Sequence, residues 1–173
     1  MPQSSDPNRV SVIVVSRSEE DLEAAYVAYS SQDYAAKELL VVSPTPPRFE
    51  TAHSLQLGSL TRGEALREAL KVCSGSHFTL YSPSTWAPNR LSLQMQALEK
   101  FGYIGSGFNR VKRGQDGFFS NPKGLIIETL VLPKPTKPFP ETEEGFMLNI
   151  LAEAAKEGFI NIIDMPEAYT RLL

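Results

Sequence analysis

Val10-Ser11-Val12-Ile13-Val14-Val15 is an almost unbroken β-branched run, the pattern of a strand buried on both faces, as the strands of parallel sheets are. Working outward from it, Ser18 stands before Glu19, Glu20 and Asp21. This is a capping residue followed by the acidic first turn that a helix macrodipole favours, and Leu22, Ala25, Tyr26 and Tyr29 then recur at helical spacing up to about Ser31. Glu38-Leu39-Leu40-Val41-Val42 is a second buried strand, closed by Ser43-Pro44-Thr45-Pro46-Pro47, whose prolines cannot extend a ladder, so a loop is expected there.

Thr61 and Glu64 have the spacing of a capping box, and Ala65, Leu66, Ala69, Leu70 and Cys73 line one face of the helix that follows. His77 to Tyr81 reads as a third strand and Ser82 to Thr85 as the turn leaving it. Pro88 suits a first helical turn, ahead of the apolar stripe Leu91, Met95 and Leu98, which runs to Lys100. Strand and helix alternate three times, which implies right-handed crossovers and a mainly parallel sheet.

The second half is less regular. Tyr103–Val111 and Gly124–Leu132 have strand character, separated by a polar, glycine-rich stretch from Lys112 to Lys123. Pro133, Pro135, Pro138 and Pro140 make an extended connection, Glu141–Glu157 a last amphipathic helix with an acidic first turn, and Phe159–Ile163 a last strand. The expected organisation is a flexible N-terminus over 1–9 and a single domain over 10–173, with no internal repeat.

Composition narrows the function classes. The chain has 173 residues and is 42% hydrophobic, enough for a real core. Its net charge of −3 disfavours nucleic acid or an anionic membrane surface as the general partner. One cysteine, Cys73, excludes an internal disulfide and a multi-cysteine zinc site, which suits a reducing compartment. No membrane-spanning run is present and Met1–Asn8 is polar, so the expected address is the cytoplasm.

In an open parallel sheet, ligands bind beyond the carboxyl ends of the strands. The segments that matter are therefore Ser16-Arg17-Ser18, Ser43-Pro44-Thr45 and Ser82-Pro83-Ser84-Thr85. The order of motifs around them resembles family 2 glycosyltransferases. Val10–Leu22 resembles their opening strand and loop, and Ser31-Gln32-Asp33-Tyr34 with Glu38–Val42 resembles their Q-x-Y-x-x-x-E strand passage. Arg62–Leu66 through Ala69-Leu70, then Ser74–Phe78, resembles their next helix and strand lead-in, and Thr85–Pro88 with Arg90-Leu91 the segment after their metal motif. The resemblance covers about residues 10–100. It implies a GT-A-like three-layer α/β/α fold with a mainly parallel central sheet, and transfer of a sugar from a nucleotide-sugar to an acceptor with inversion. It also implies a nucleotide-binding-type half over 10–100 and a short acceptor-side half over 101–173.

The carboxylates are missing where that resemblance calls for them. Ser43 stands at the position of the nucleoside-binding aspartate and Ser82-Pro83-Ser84 at that of the metal-binding Asp-x-Asp. A neutral hydroxyl does not replace a carboxylate for a hard dication, so no intact Mg²⁺ or Mn²⁺ site and no cofactor are expected. Donor-binding candidates are then Ser16, Arg17, Ser43, Arg62, Arg67, Ser82 and Ser84, with the arginines as bidentate partners for a diphosphate or simply as solvated surface residues. The candidate base is Glu144, where Glu143-Glu144 resembles the family's late acidic pair; a plain helix N-terminus accounts for the same residues.

Other features favour plain readings. Cys73 sits on an apolar helix stripe, and His53 and His77 have no ligand partners at metal spacing. Ser82 and Ser84 have no His–acid pair to activate them. Arg110, Lys112 and Arg113, followed by Phe118 and Phe119, form the only dense basic cluster, read as an exposed loop or as a loop that binds an anion or a partner. Three functions remain open: a divergent, metal-independent transferase; an inactive relative acting as an interaction or regulatory module with a protein partner or a second copy; and an enzyme of another class reusing the crevice.

Overall fold

The computed structural model describes residues 6–108, 110–113, 118–120, 129–135, 155–156, 158–163 and 170–172. Its first half follows the strand and helix alternation: β1 (Asp6–Val15), α1 (Glu19–Ser30), β2 (Lys37–Ser43), β3 (His53–Gln56), α2 (Arg62–Val72), β4 (Gly75–Leu80), β5 (Ser84–Trp86) and α3 (Arg90–Phe101). The described remainder is built of short strands: β6 (Gly105–Phe108), β7 (Arg110–Arg113), β8 (Phe118–Ser120), β9 (Val131–Pro133), β10 (Ile160–Ile163) and β11 (Thr170–Leu172).

Seven strands form the main sheet in the order β10-β6-β9-β4-β1-β2-β3. Every pairing is parallel except those of β9, which runs antiparallel to both β4 and β6. The β-branched run explains itself here, because alternate residues of a strand point to opposite faces. Ile13 packs with Leu40, Val42 and Phe78 against Ala65, Leu66, Ala69 and Leu70 of α2. Val10, Val12 and Val14 pack the other way with Leu39 and Val41, against Leu22 and Ala25 of α1 and Leu91, Met95 and Leu98 of α3. One helix on one face and two on the other make three layers.

Local signals set the helix ends. Ser18 accepts from the Asp21 N–H at the start of α1, and Thr61 and Glu64 close a reciprocal capping box on α2. Gly102, at φ 69°, ends α3 in the left-handed conformation that glycine adopts without strain.

The structure also departs from the expectations. β1 starts at Asp6 rather than Val10, pairing with Gly75 ahead of an irregularity in its register. The loop after β2 contains β3, whose four residues His53-Ser54-Leu55-Gln56 carry only one aliphatic side chain. Thr85 lies within β5 rather than in a simple turn, and Pro88 precedes Asn89, the N-cap of α3, instead of entering the helix. The single strand expected over Tyr103–Val111 is divided between two sheets, since β6 joins the main sheet and β7 belongs to a second sheet ordered β5-β11-β7-β8. The basic stretch read as a loop contributes an antiparallel pair, β7 with β8. Of the strand expected over Gly124–Leu132, residues 129–132 are described; Val131 and Leu132 belong to β9, and Thr129 and Leu130 precede it. The helix expected over Glu141–Glu157 lies outside the described residues save for Ala155 and Lys156.

Candidate functional site

Because β1, β2, β3 and β4 run parallel, their carboxyl ends open on one edge of the sheet, and all the candidate segments of the first half meet there except Arg67. Ser16 is half-buried. Its backbone N–H donates to the Val42 carbonyl at 3.1 Å, its hydroxyl donates to the Asp21 carboxylate at 3.3 Å, and it accepts from the Ser18 N–H at 3.0 Å. Arg17 is exposed and donates across to the Gly58 carbonyl, beyond β3, at 3.0 Å. Arg62, also exposed, reaches back from the first residue of α2 to the Val15 carbonyl at 3.3 Å. The two arginines therefore brace the β1 exit and the β3–α2 loop in opposite directions, and both guanidinium groups sit at the crevice mouth. Arg67 lies five residues after Arg62, about 140° further round the helix, and does not join them.

The serines at the expected carboxylate positions are turned to other uses. Ser43 is buried and donates to the Thr45 carbonyl at 2.6 Å. Ser84, 4% exposed, donates to the Ser82 carbonyl at 2.6 Å and accepts from the Trp86 indole N–H at 3.0 Å. Its backbone N–H donates to the Tyr81 hydroxyl, which donates in turn to the Ser84 carbonyl, both at 3.2 Å. Burial raises the Tyr81 phenol above its ordinary pKa, so it stays a neutral donor. Ser82 is half-buried, and Thr85 is the exposed hydroxyl of this stretch.

The hydroxyls of Ser43 and Ser84 face inward, and among the described residues no group of three or more His, Cys, Asp or Glu gathers as a metal site. Asp21, one of three acidic residues in the first turn of α1 beyond the β1 exit, accepts from Ser16.

Several residues that shape the crevice were quoted in the sequence only as parts of motifs. The Gln32 amide donates to the Ala87 carbonyl at 2.8 Å, and its oxygen accepts from the Leu91 N–H at 3.0 Å. Asn89 makes no side-chain cap, so Gln32 caps α3 from 59 residues away. Asp33 adds a backbone donation to the Pro88 carbonyl at 2.9 Å and accepts from the Ser92 hydroxyl.

Glu38 is the buried acid among the described residues. It accepts from the Ser11 hydroxyl at 2.6 Å, the Ser74 N–H at 2.6 Å and the Ser74 hydroxyl at 2.8 Å. Burial alone would raise its pKa, but the hydrogen bonds from Ser11, Ser74 and Gly75 outweigh that and hold the carboxyl below the ordinary glutamate range. A side chain at Gly75 would meet the Ser11 hydroxyl at 2.6 Å and the Arg9 carbonyl at 2.7 Å, so the glycine permits this close approach.

Arg90 is 0% exposed and lies 3.9 Å over the Trp86 ring, with bonds of 3.3 Å to Gln94 and 3.4 Å to Thr79. Burial pulls its pKa down to about 9, which still leaves a cation at neutral pH.

The plain readings of other residues are located as follows. Cys73 is buried, and burial pushes its thiol up, as for a structural cysteine. Burial lowers His77, whose ring meets the Ser76 hydroxyl at 2.8 Å. Glu144 lies outside the described residues. Arg110, Lys112 and Arg113 are placed by their strand register.

No protein-family model and no curated protein matches this chain. Solved structures do. Residues 1–349 of S. aureus TarS align over 95% of this chain and 60% of that one, with a TM-score of 0.69 and 16% identity. A longer TarS structure gives a TM-score of 0.73 at 16% identity, over 95% of this chain and 36% of that one. The 1–349 structure in complex with UDP-GlcNAc gives 0.67 at 17% identity, over 94% and 58%. The chain thus spans at most 60% of these TarS chains. No described helix is long and apolar enough to cross a membrane. At this level of identity the likeness speaks for architecture, and the chain has a GT-A-like three-layer α/β fold with a mainly parallel central sheet.

Proposed function

We propose that the chain is a divergent glycosyltransferase-like protein whose strand-end crevice takes a nucleoside diphosphate sugar without a divalent cation. The observation that carries this reading is the pair of crossed braces, Arg17 to Gly58 and Arg62 to Val15, which hold two guanidinium groups at the crevice mouth. Guanidinium groups match phosphate oxygens in a bidentate manner and supply positive charge that a metal would otherwise provide. Ser16 and Ser82 offer half-buried hydroxyls beside them, whereas Ser43 and Ser84 are already engaged within their own turns. TarS structures in complex with UDP and with UDP-GlcNAc support a nucleotide-sugar as the ligand class.

In the proposed reaction an acceptor hydroxyl attacks the anomeric carbon. The bond from that carbon to the diphosphate oxygen breaks, and the nucleoside diphosphate leaves with the electron pair. Glu144 takes the acceptor proton, and Arg17 and Arg62 neutralise the charge that develops on the leaving diphosphate.

A second reading has its own observation. The inward-locked hydroxyl of Ser84 closes the β4 exit from within, as suits an inactive module that works through a protein partner or a second copy. Release of UDP from UDP-GlcNAc in the presence of EDTA separates the two. Turnover that disappears in Glu144→Gln while the melting temperature holds supports transfer; no release with any common donor supports the inactive module.

A further inference from the structure

The loop between β2 and β3 lies over the start of α1 and leaves an open hollow of about 310 Å³ between them. The loop is pinned rather than slack. Pro46 and Pro47 fix its backbone, Phe49 stacks on Tyr26 of α1 with ring centroids 4.5 Å apart, and the Ala52 N–H donates to the Leu39 carbonyl at 3.0 Å. The hollow is therefore preformed. Its floor is apolar, with Leu22 buried and Pro47 and Phe49 half-buried, and its rim carries exposed charge of both signs, Glu19 and Glu23 from α1 and Arg48 from the loop.

The side chains of Glu19, Glu23 and Arg48 make no hydrogen bond or ion pair with another described residue. Opposite charges thus line one hollow without closing on each other. The helix accounts for only part of this. Glu19 is the first residue of α1, where the macrodipole favours an acid, but Glu23 lies beyond the first turn and stands four residues from Glu19, a spacing at which like charges destabilise a helix. A local rule broken in this way is expected where a ligand repays it.

We propose that this hollow is a binding site for a free α-amino acid with an apolar side chain. The ammonium group donates to Glu19 and Glu23, the carboxylate accepts from the guanidinium fork of Arg48, and the side chain lies on Leu22, Pro47 and Phe49. The volume agrees, since it stands at the small end of the roughly 300–1,000 Å³ that ligand pockets span. The site shares no residue with the crevice mouth formed by Ser16, Arg17, Arg62 and Ser82, so a crevice that fails to bind UDP leaves it standing.

L-Phenylalanine titrated into the ¹⁵N-labelled full chain tests this by amide chemical shifts. Wild type shows saturable shifts at Leu22, Glu23, Arg48 and Phe49, with an affinity that falls as salt rises. Phenethylamine, which lacks the carboxylate, and 3-phenylpropionate, which lacks the ammonium, each bind roughly tenfold more weakly. Arg48→Gln weakens L-phenylalanine about tenfold and leaves phenethylamine unchanged, whereas Glu23→Gln weakens both amines. Glu68→Gln, on the surface of α2 across the sheet, binds as wild type does. Shifts that do not saturate, one-poled analogues that bind as tightly as the amino acid, or an Arg48→Gln chain that binds it unchanged would overturn the proposal.

Discussion

Glu38 on β2 holds Ser74, at the entrance to β4, across the intervening strand β1. Its two carboxylate oxygens accept from the Ser74 N–H and hydroxyl at 2.6 and 2.8 Å. Ser11 on β1 closes the triangle, donating to Glu38 and accepting from the Gly75 N–H at 3.0 Å. Two of the motif passages in the sequence are therefore one structural device, a buried acid and the serine and glycine that satisfy it.

Glu38→Ala leaves those donors facing an apolar gap and is expected to cost roughly 3 kcal/mol, measured by denaturant unfolding. Glu38→Gln keeps an acceptor and costs less. The pH dependence has a definite sign. The folded carboxyl is depressed, so its contribution is fully present above the ordinary glutamate pKa, about 4.3, and is lost as pH falls through the lower folded value. Wild type should lose stability on acidification more steeply than Glu38→Gln; parallel acid limbs would contradict this.

Gln32→Ala removes the cap that α3 lacks locally, together with the donation to the Ala87 carbonyl. The expected loss is about 1–2 kcal/mol, with faster amide exchange at Leu91 and its neighbours. Unchanged exchange there would show that the cap is dispensable.

Arg90→Lys keeps the charge but loses the planar stack on Trp86 and the fork to Gln94 and Thr79. Stability should fall by about 2 kcal/mol. Trp86 is the only tryptophan, so its emission reports on this place alone and should shift to the red as water reaches the indole. An unshifted emission maximum would contradict the stack.

The layers of the first half were legible because β1, β2 and the three helices each carry strong local signals: buried β-branched runs, capping residues and apolar stripes. β3, β5 and β11 were not. His53–Gln56 has one aliphatic residue, and Ser84–Trp86 and Thr170–Leu172 are three residues each, too short for a period to show. The expected strand stops at Val111 because Lys112-Arg113 opens a polar, glycine-rich stretch, and only the pairing with β8 and β11 carries β7 on to Arg113.

At the site, the strand-end arginines and serines could be named from sequence, but their directions could not. Nothing local indicates that Ser84 turns inward to Trp86 or that Arg62 turns back to Val15. Arginine is rarely buried completely, so Arg90 gave no warning of its place under the crevice lip. Glu144, the residue expected to act as base, lies outside the described residues, and its role rests on the transfer assay.

The central claim is a metal-independent crevice for a nucleoside diphosphate sugar, and calorimetric titration with UDP tests it most directly. The account predicts binding in EDTA that Mn²⁺ does not strengthen and that weakens roughly tenfold in Arg17→Gln and in Arg62→Gln. Binding that requires Mn²⁺, or no binding under either condition, would contradict it.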